Sequence, residues 1–319
     1  MDGIGCDTKM ENLARTENRY KLFRTKELQK VAHAEALLLK NARRWLSKNK
    51  YTEVIVPHIV SVAGSCEVID SLFELPYFNK TAYLTQTGQL YLETLVPFLG
   101  NVWCCGPSFR AEERADDRHL TEFTLLELEF KGKFDFLLET IESLFSAMMR
   151  GTGIKISIPL KRMKYEEAIE TLGLKWGMDM MSTDEQKLIS LNNNEPMFIT
   201  HFPKELKYFN MRVNDEDPRI VNSADLILPV AGESAGAAER ECNPSKLTRR
   251  LQESSMYVNY VARGGDKKAF DWYIHAYWDF DYPIHSGFGM GINRVTKFVL
   301  GLSDIRQSTV FPVNSEALY

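Results

Sequence analysis

The chain is 319 residues long, enough for one large domain or two small ones with a sizeable core. Its 39 basic and 43 acidic residues give a formal charge of −4, which excludes the broad basic surface of a non-specific nucleic-acid binder. No apolar run is long enough to span a bilayer, so no membrane association is expected, and the first residues lack the basic-then-apolar order of a secretory signal.

Residues 1–16 read as a flexible leader and 17–319 as one domain. From 25 to 50, Leu28, Val31, Ala34, Leu38, Ala42 and Trp45 recur at helical spacing, and the basic cluster at the end suits the negative pole of a helix. "YTEVIVPHIV" reads as a strand interrupted by Pro57, which removes a ladder donor. "TAYLTQTGQLYLETLVPFLG" gives a short strand, a Thr-Gly turn and a helix. "CCGPSFRAEERADDRHLTEF" follows as a hairpin, on which Cys104 and Cys105 point to opposite faces and do not pair. Five cysteines without metal-ligand spacing fit a reduced, cytoplasmic protein.

Helical patterns return at "FDFLLETIESLFSAMMRGTG", "YEEAIETLGL", "STDEQKLISLNN" and "PSKLTRRLQESSMYVNYVAR". Strands are expected at "PMFITHFP", "KYFNMRVND" and "ADLILPVAGESAGAA", and a helix from about 293 to 300. Strands in hairpin-like pairs without regular helix alternation predict an α+β domain, with a mostly antiparallel sheet of about six strands flanked by helices.

Three segments carry candidate chemistry. On the hairpin, period two puts Ser108, Arg110 and Glu112 on one face, with Arg118 and His119 opening the return strand and Phe123 further along it. An Arg fork matches phosphate or carboxylate oxygens, a carboxylate accepts from an amino group, and an aromatic stacks on a base; an ion-paired hairpin is the plain alternative. In "ADLILPVAGESAGAAERE", Asp225 and Glu233 form an acid pair suited to Mg²⁺, which takes one or two carboxylates plus substrate phosphates, or else are surface acids at strand ends. In "HSGFGMGINR", alternating Gly287, Gly289 and Gly291 let a flat or charged group approach the backbone, and Arg294 sits in the first turn of a helix.

Taken in order, "VPHIV", "FRAEERADDRHLTEF" and "GFGMGINR" resemble motifs 1, 2 and 3 of class II aminoacyl-tRNA synthetases, in the aspartyl/asparaginyl branch. The resemblance implies an ATP-dependent ligase that adenylates an amino acid, with ATP and Mg²⁺ as cofactors and a homodimer formed near Pro57. Arg110 and Arg294 are then the catalytic arginines, on the α- and γ-phosphate sides. Glu112, Phe123, Arg118, His119 and Glu233 complete the ATP contacts, and Asp225 and Glu233 hold the metal. Glu67 and Gln89 fall where the family holds the amino acid's α-amino group, and Arg240 where it grips the side-chain carboxylate or amide. The lysine that aspartyl enzymes carry three residues after the glutamine is Leu92 here, and Asn210 stands where a Tyr is common.

The chain begins where the family's catalytic domain does, without the N-terminal anticodon-binding barrel. With the acidic balance, this points away from tRNA and toward an asparagine synthetase-like enzyme that joins aspartate to ammonia through an aspartyl-adenylate. One alternative activates asparagine or a related amino acid through its α-carboxylate, for transfer to a metabolite, peptide or tRNA. A second is a non-catalytic regulatory paralogue. The adenylation chemistry suits the residues, because an ionised carboxylate needs no base to attack phosphorus; it needs alignment and cations.

Overall fold

The computed structural model describes residues 12–62 and 69–318. The first long helix, α1 (Lys26–Lys48), is capped by Thr25, whose hydroxyl accepts from Leu28 N at 3.3 Å. Its apolar stripe is buried from Leu28 to Ala42 as the spacing predicts, but at the end Leu46 is buried and Trp45 only half-buried. The end of the leader is docked: Leu13 is buried against Leu28 and Val31. Pro57 separates β1 (Thr52–Glu53) from β2 (Ile59–Val60), and these strands belong to different sheets.

The further strands are β3 (Glu74–Tyr77), β4 (Lys80–Leu84), β5 (Val102–Phe109), β6 (Glu122–Lys131), β7 (Lys161–Lys164), β8 (Met197–Thr200), β9 (Ser223–Leu228), β10 (Gly232–Glu239) and β11 (His285–Gly291). Eight of them form the main sheet in the order β1-β5-β6-β11-β10-β9-β8-β7, and β2-β4-β3 form a small one. All main-sheet pairings are antiparallel except β1 with β5 and β7 with β8, so the sheet is antiparallel as expected but has eight strands instead of about six. The other helices are α2 (Gln89–Leu99), α3 (Phe134–Met148), α4 (Tyr165–Leu172), α5 (Ser182–Leu191), α6 (Pro244–Glu253), α7 (Ser255–Ala262), α8 (Asp271–Asp279) and α9 (Ile292–Leu300).

Period two divides the sheet into an oily face and a polar one. On β6, Leu126, Leu128 and Phe130 enter the core; on β11, Phe288 and Met290 do the same. Leu38, Ala42 and Leu46 of α1, with Leu137, Ile141 and Phe145 of α3, cover that face. Each buried Leu, Ile, Phe or Met among them contributes about 1.5–3 kcal/mol. The alternate positions, Phe123, Glu127 and Glu129 on β6 and the glycines on β11, are left to the opposite face. There α2 and α8 lie over one end.

Two sequence expectations fail locally. "KYFNMRVND" forms no strand; Met211 and Val213 make isolated bridges only. Tyr208, Phe209 and Asn210 are buried in succession, which breaks period two, and Arg250 Nη1 takes the Met211 carbonyl at 2.6 Å. The long helix expected from Pro244 is two, because Ser254 is extended and its hydroxyl accepts from Tyr257 N at 3.2 Å, restarting the helix. Among the described residues no helix is long and apolar enough to cross a membrane.

Candidate functional site

The polar face of β6, β11, β10 and β9 is the floor of the site. Direct cross-strand pairs share a face, so Glu127 opposite Gly289, Glu129 opposite Gly287, and Asp225 opposite Gly236 bring three acids onto this floor. A β-bulge between Glu233 and Ala235 corrects a mismatch of parity. Glu233 and Gly236 would otherwise face opposite ways; with the bulge, Glu233 pairs with Ile227 and joins Asp225.

The alternating glycines have a more specific use than the sequence suggests. A side chain at Gly287 would collide with the Glu129 carboxylate and with Gln89, so the missing Cβ makes room for buried acids of this chain. Gly236 lies beside both metal candidates without such crowding: a Cβ there would sit at ordinary contact distance, 3.5 Å from Glu233 Oε1 and 3.8 Å from Asp225 Oδ1.

At one end stand the groups assigned to ATP. Strand β5 ends at Phe109, so the shared strand face stops at Ser108. Arg110 and Glu112 sit in a tight turn where Glu112 N donates to Arg110 O at 2.8 Å, and Ala111 N donates to Ser71 O at 2.8 Å. Arg118 and His119 lie in the loop, before the return strand. The Asp116 carboxylate shapes it by accepting from the backbone of both at 2.8 Å and from His119 Nδ1. The Arg110 guanidinium stands 5.5 Å from the Phe123 ring centroid, and its Nε is buried without a hydrogen-bond partner. Arg294 reaches the same region from α9, donating to the carbonyls of Ala231, Glu233 and Arg118. Arg118 Nη2 pairs with Glu185 at 3.1 Å.

Asp225 has a partner that sequence reasoning missed. Lys207 Nζ donates to its two oxygens at 2.8 and 2.6 Å and lies over the Phe202 ring. Burial nevertheless pushes the Asp225 carboxyl up to about 7; Lys207 opposes the rise and Glu233 adds to it. With Glu233 turned onto the same face, the two carboxylates form a pair suited to a divalent cation.

At the other end is a buried polar network. Arg240 Nε lies 3.4 Å from Glu93 Oε1 and 3.3 Å from Glu129 Oε2, while its terminal nitrogens make no hydrogen bond among the described residues. Glu93 also accepts from Asn210 Nδ2 at 2.6 Å and from the Tyr273 hydroxyl at 2.5 Å; the Tyr277 hydroxyl lies 3.2 Å from both Glu93 Oε2 and His285 Nε2. Gln89 donates to the Glu129 carboxylate and to Leu128 O, so among this chain's own groups it serves the floor. Burial raises both glutamates, with Arg240 opposing. Burial also holds His285 down at about 3, as a neutral ring that donates from Nδ1 to Pro283 O. Glu67, assigned to the amino group, lies outside the described residues.

Glu93 and Glu129 carried a faint signal. Glu93 lies one helical turn after Gln89, and Glu129 is, with Glu127, one of two acids in the otherwise apolar "LLELEF". In sequence, both resemble ordinary solvent-facing charges.

The family model for tRNA synthetases class II (D, K and N) matches residues 11–315. Asparagine–tRNA ligase of Thermococcus gammatolerans is 36% identical, across 94% of this chain and 73% of its own length. Aspartate–tRNA(Asp) ligase of Thermoplasma volcanium is 33% identical across 93% and 71%. Among solved structures, asparaginyl-tRNA synthetase of Pyrococcus horikoshii with asparaginyl-adenylate aligns with a TM-score of 0.85 at 33% identity, covering 94% of this chain and 72% of that one. The expectation that set tRNA aside as a partner is thereby corrected, because relatives matching nearly the whole chain are tRNA ligases. With three motifs in order, the antiparallel fold and the family match agreeing, this chain belongs to the class II tRNA synthetases of the D, K and N type and is an ATP-dependent, amino-acid-activating ligase.

Proposed function

We propose that the enzyme activates asparagine through its α-carboxylate and passes the asparaginyl group to tRNA. The observation that carries the choice of amino acid is the Arg240 arrangement. Its Nε is fixed by Glu93 and Glu129, leaving the terminal N–H groups for a substrate carbonyl, with carboxylate oxygens beside them for a substrate N–H. A carboxamide offers both. A second carboxylate would meet two acids around one arginine, with no spare positive charge, and Leu92 supplies none.

In the reaction, an α-carboxylate oxygen forms a bond to the α-phosphorus of ATP and the bond to the bridging oxygen breaks, releasing pyrophosphate. An acceptor hydroxyl of tRNA then attacks the activated carbonyl, and AMP leaves. Arg110, unpartnered at Nε, is available to the α-phosphate and the incoming carboxylate; Phe123 stacks the adenine and Glu112 accepts from its amino group. Arg294, Arg118 and His119 receive the distal phosphates. Asp225 and Glu233 would hold Mg²⁺, which supplies counter-charge to phosphate oxygens when bound.

The test is ATP–pyrophosphate exchange with asparagine and with aspartate, followed by charging of tRNA transcripts. Exchange with asparagine and esterified tRNA are expected. Conversion of aspartate and ammonium to asparagine, with AMP released and no tRNA present, would replace this reading with the synthetase one. Absence of exchange with either amino acid would favour a regulatory paralogue. Homodimer formation is a further part of the reading, supported by exposed Ile55 and Ile59 flanking Pro57 and checked by the mass in solution.

A further inference from the structure

Arg294 and Lys297 lie three apart on α9, on one helical face. Lys297 is buried, at 3% exposure, and Arg294 is half-buried; among the described residues neither forms an ion pair with a carboxylate. They rest on backbone carbonyls instead. Arg294 Nη2 donates to Arg118 O at 3.3 Å, and Lys297 Nζ donates to the adjacent carbonyl, Asp117 O, at 3.1 Å. Asp117 O also accepts from Ile305 N at 2.8 Å, so the loop is stapled to the segment after α9 as well. Loss of solvent is the largest influence on both cations and pushes each below its ordinary value.

Burying an ammonium whose only direct acceptor is a carbonyl is costly: Asp117 and Asp304 favour its charge through space but form no ion pair with it, and a carbonyl dipole does not neutralise a full charge. A purely structural staple needs no charge, since a neutral donor would serve. What the charge adds is a positive field beneath the 117–118 backbone, where Arg118 and Arg294 already converge. A polyphosphate would supply the missing negative charge.

We propose that Lys297 is a positioning residue for the distal phosphates of ATP: it fixes the 116–119 loop and adds a third cation under the leaving pyrophosphate. The inference rests on the ATP-site reading above. It predicts an effect confined to the part of the nucleotide beyond the α-phosphate, so ATP and AMP separate it from a general structural role.

The experiment is equilibrium dialysis of radiolabelled ATP and AMP, at fixed Mg²⁺, against the full chain and its K297M and K297R variants, with melting temperatures recorded alongside. K297M is expected to weaken ATP binding about tenfold, the scale of one charge-assisted contact, while AMP stays within about twofold and K297R restores most of the loss. If K297M does not fold, K297Q carries the same comparison. Unchanged ATP binding, equal weakening of ATP and AMP, or failure of K297R to rescue would each overturn the assignment. A wild-type chain that binds neither nucleotide would instead overturn the ATP-site reading itself.

Discussion

At the phosphate end, Arg110 Nε has no hydrogen-bond partner, and Arg294 and Lys297 rest on carbonyls. At the amino-acid end, Arg240 is held by two carboxylates, and Glu93 accepts from Asn210 and Tyr273 as well. The first region carries positive charge left for a ligand to neutralise. The second uses most of its hydrogen-bonding capacity on itself, which fixes one pocket geometry and confines substrate contacts to the free end of one guanidinium. Substitutions in the two regions should therefore fail differently, the first losing turnover and the second losing the fold.

The largest effect is expected from Arg240→Leu. It leaves Glu93 and Glu129 buried without their cation, a loss of about 3–5 kcal/mol, seen as a lower urea midpoint. Adding Glu129→Gln should recover part of it, because the two residues share one interaction. A variant as stable as wild type would show that the buried network does not hold this end of the site together.

Arg110→Ala is the matched case at the other end. It should lower exchange roughly 10²–10³-fold, as removal of one transition-state donor does, while stability changes by less than about 1 kcal/mol. The Arg110 guanidinium rests on the Phe123 ring and holds no carboxylate among the described residues, so its removal strands no buried charge. A stability loss equal to that of Arg240→Leu would erase the distinction between the ends.

His285 sharpens the comparison through pH. Its folded value, about 3, lies below the ordinary imidazole value of 6.5, so the unfolded chain binds a proton that the folded chain refuses. Stability contributed by the neutral ring is present above about 6.5 and is lost as pH falls toward 3. At pH 5, His285→Gln should be less acid-sensitive than wild type by roughly 1–2 kcal/mol, and the difference should vanish at pH 8 apart from a constant offset. Parallel stability–pH curves for the two proteins would contradict the buried neutral assignment.

How far the sequence discloses this arrangement depends on how local each signal is. The apolar stripe of α1 and the alternation on β6 are legible because neighbours within a few residues define them. Arg110, Phe123 and Arg294 are legible because their types recur in ordered motifs. Glu93, Glu129 and Lys207 are not, since each takes its meaning from a partner outside its own element: Arg240 for the two acids, and Asp225 of β9 for Lys207. The glycine run pointed to a close approach without revealing that the approaching group was Glu129. Tyr208 to Asn210 misled because alternation by residue type did not match alternation by burial.

The smallest effect, and the finest test of the phosphate end, is Phe123→Leu. The ring lies half-buried beneath the Arg110 guanidinium at the start of β6, and leucine keeps the apolar bulk while removing the π face. Loss of base stacking should weaken nucleotide binding by about 1 kcal/mol, several-fold in affinity. Stacking acts on adenine, which ATP and AMP share, so both should weaken together; K297M should affect ATP alone. If Phe123→Leu weakened ATP and spared AMP, the ring would belong to the phosphates, and the adenine would have to lie elsewhere on the floor. Equal weakening would fix the nucleotide's direction across the sheet, base toward Phe123 and phosphates toward α9, using two side chains that never touch.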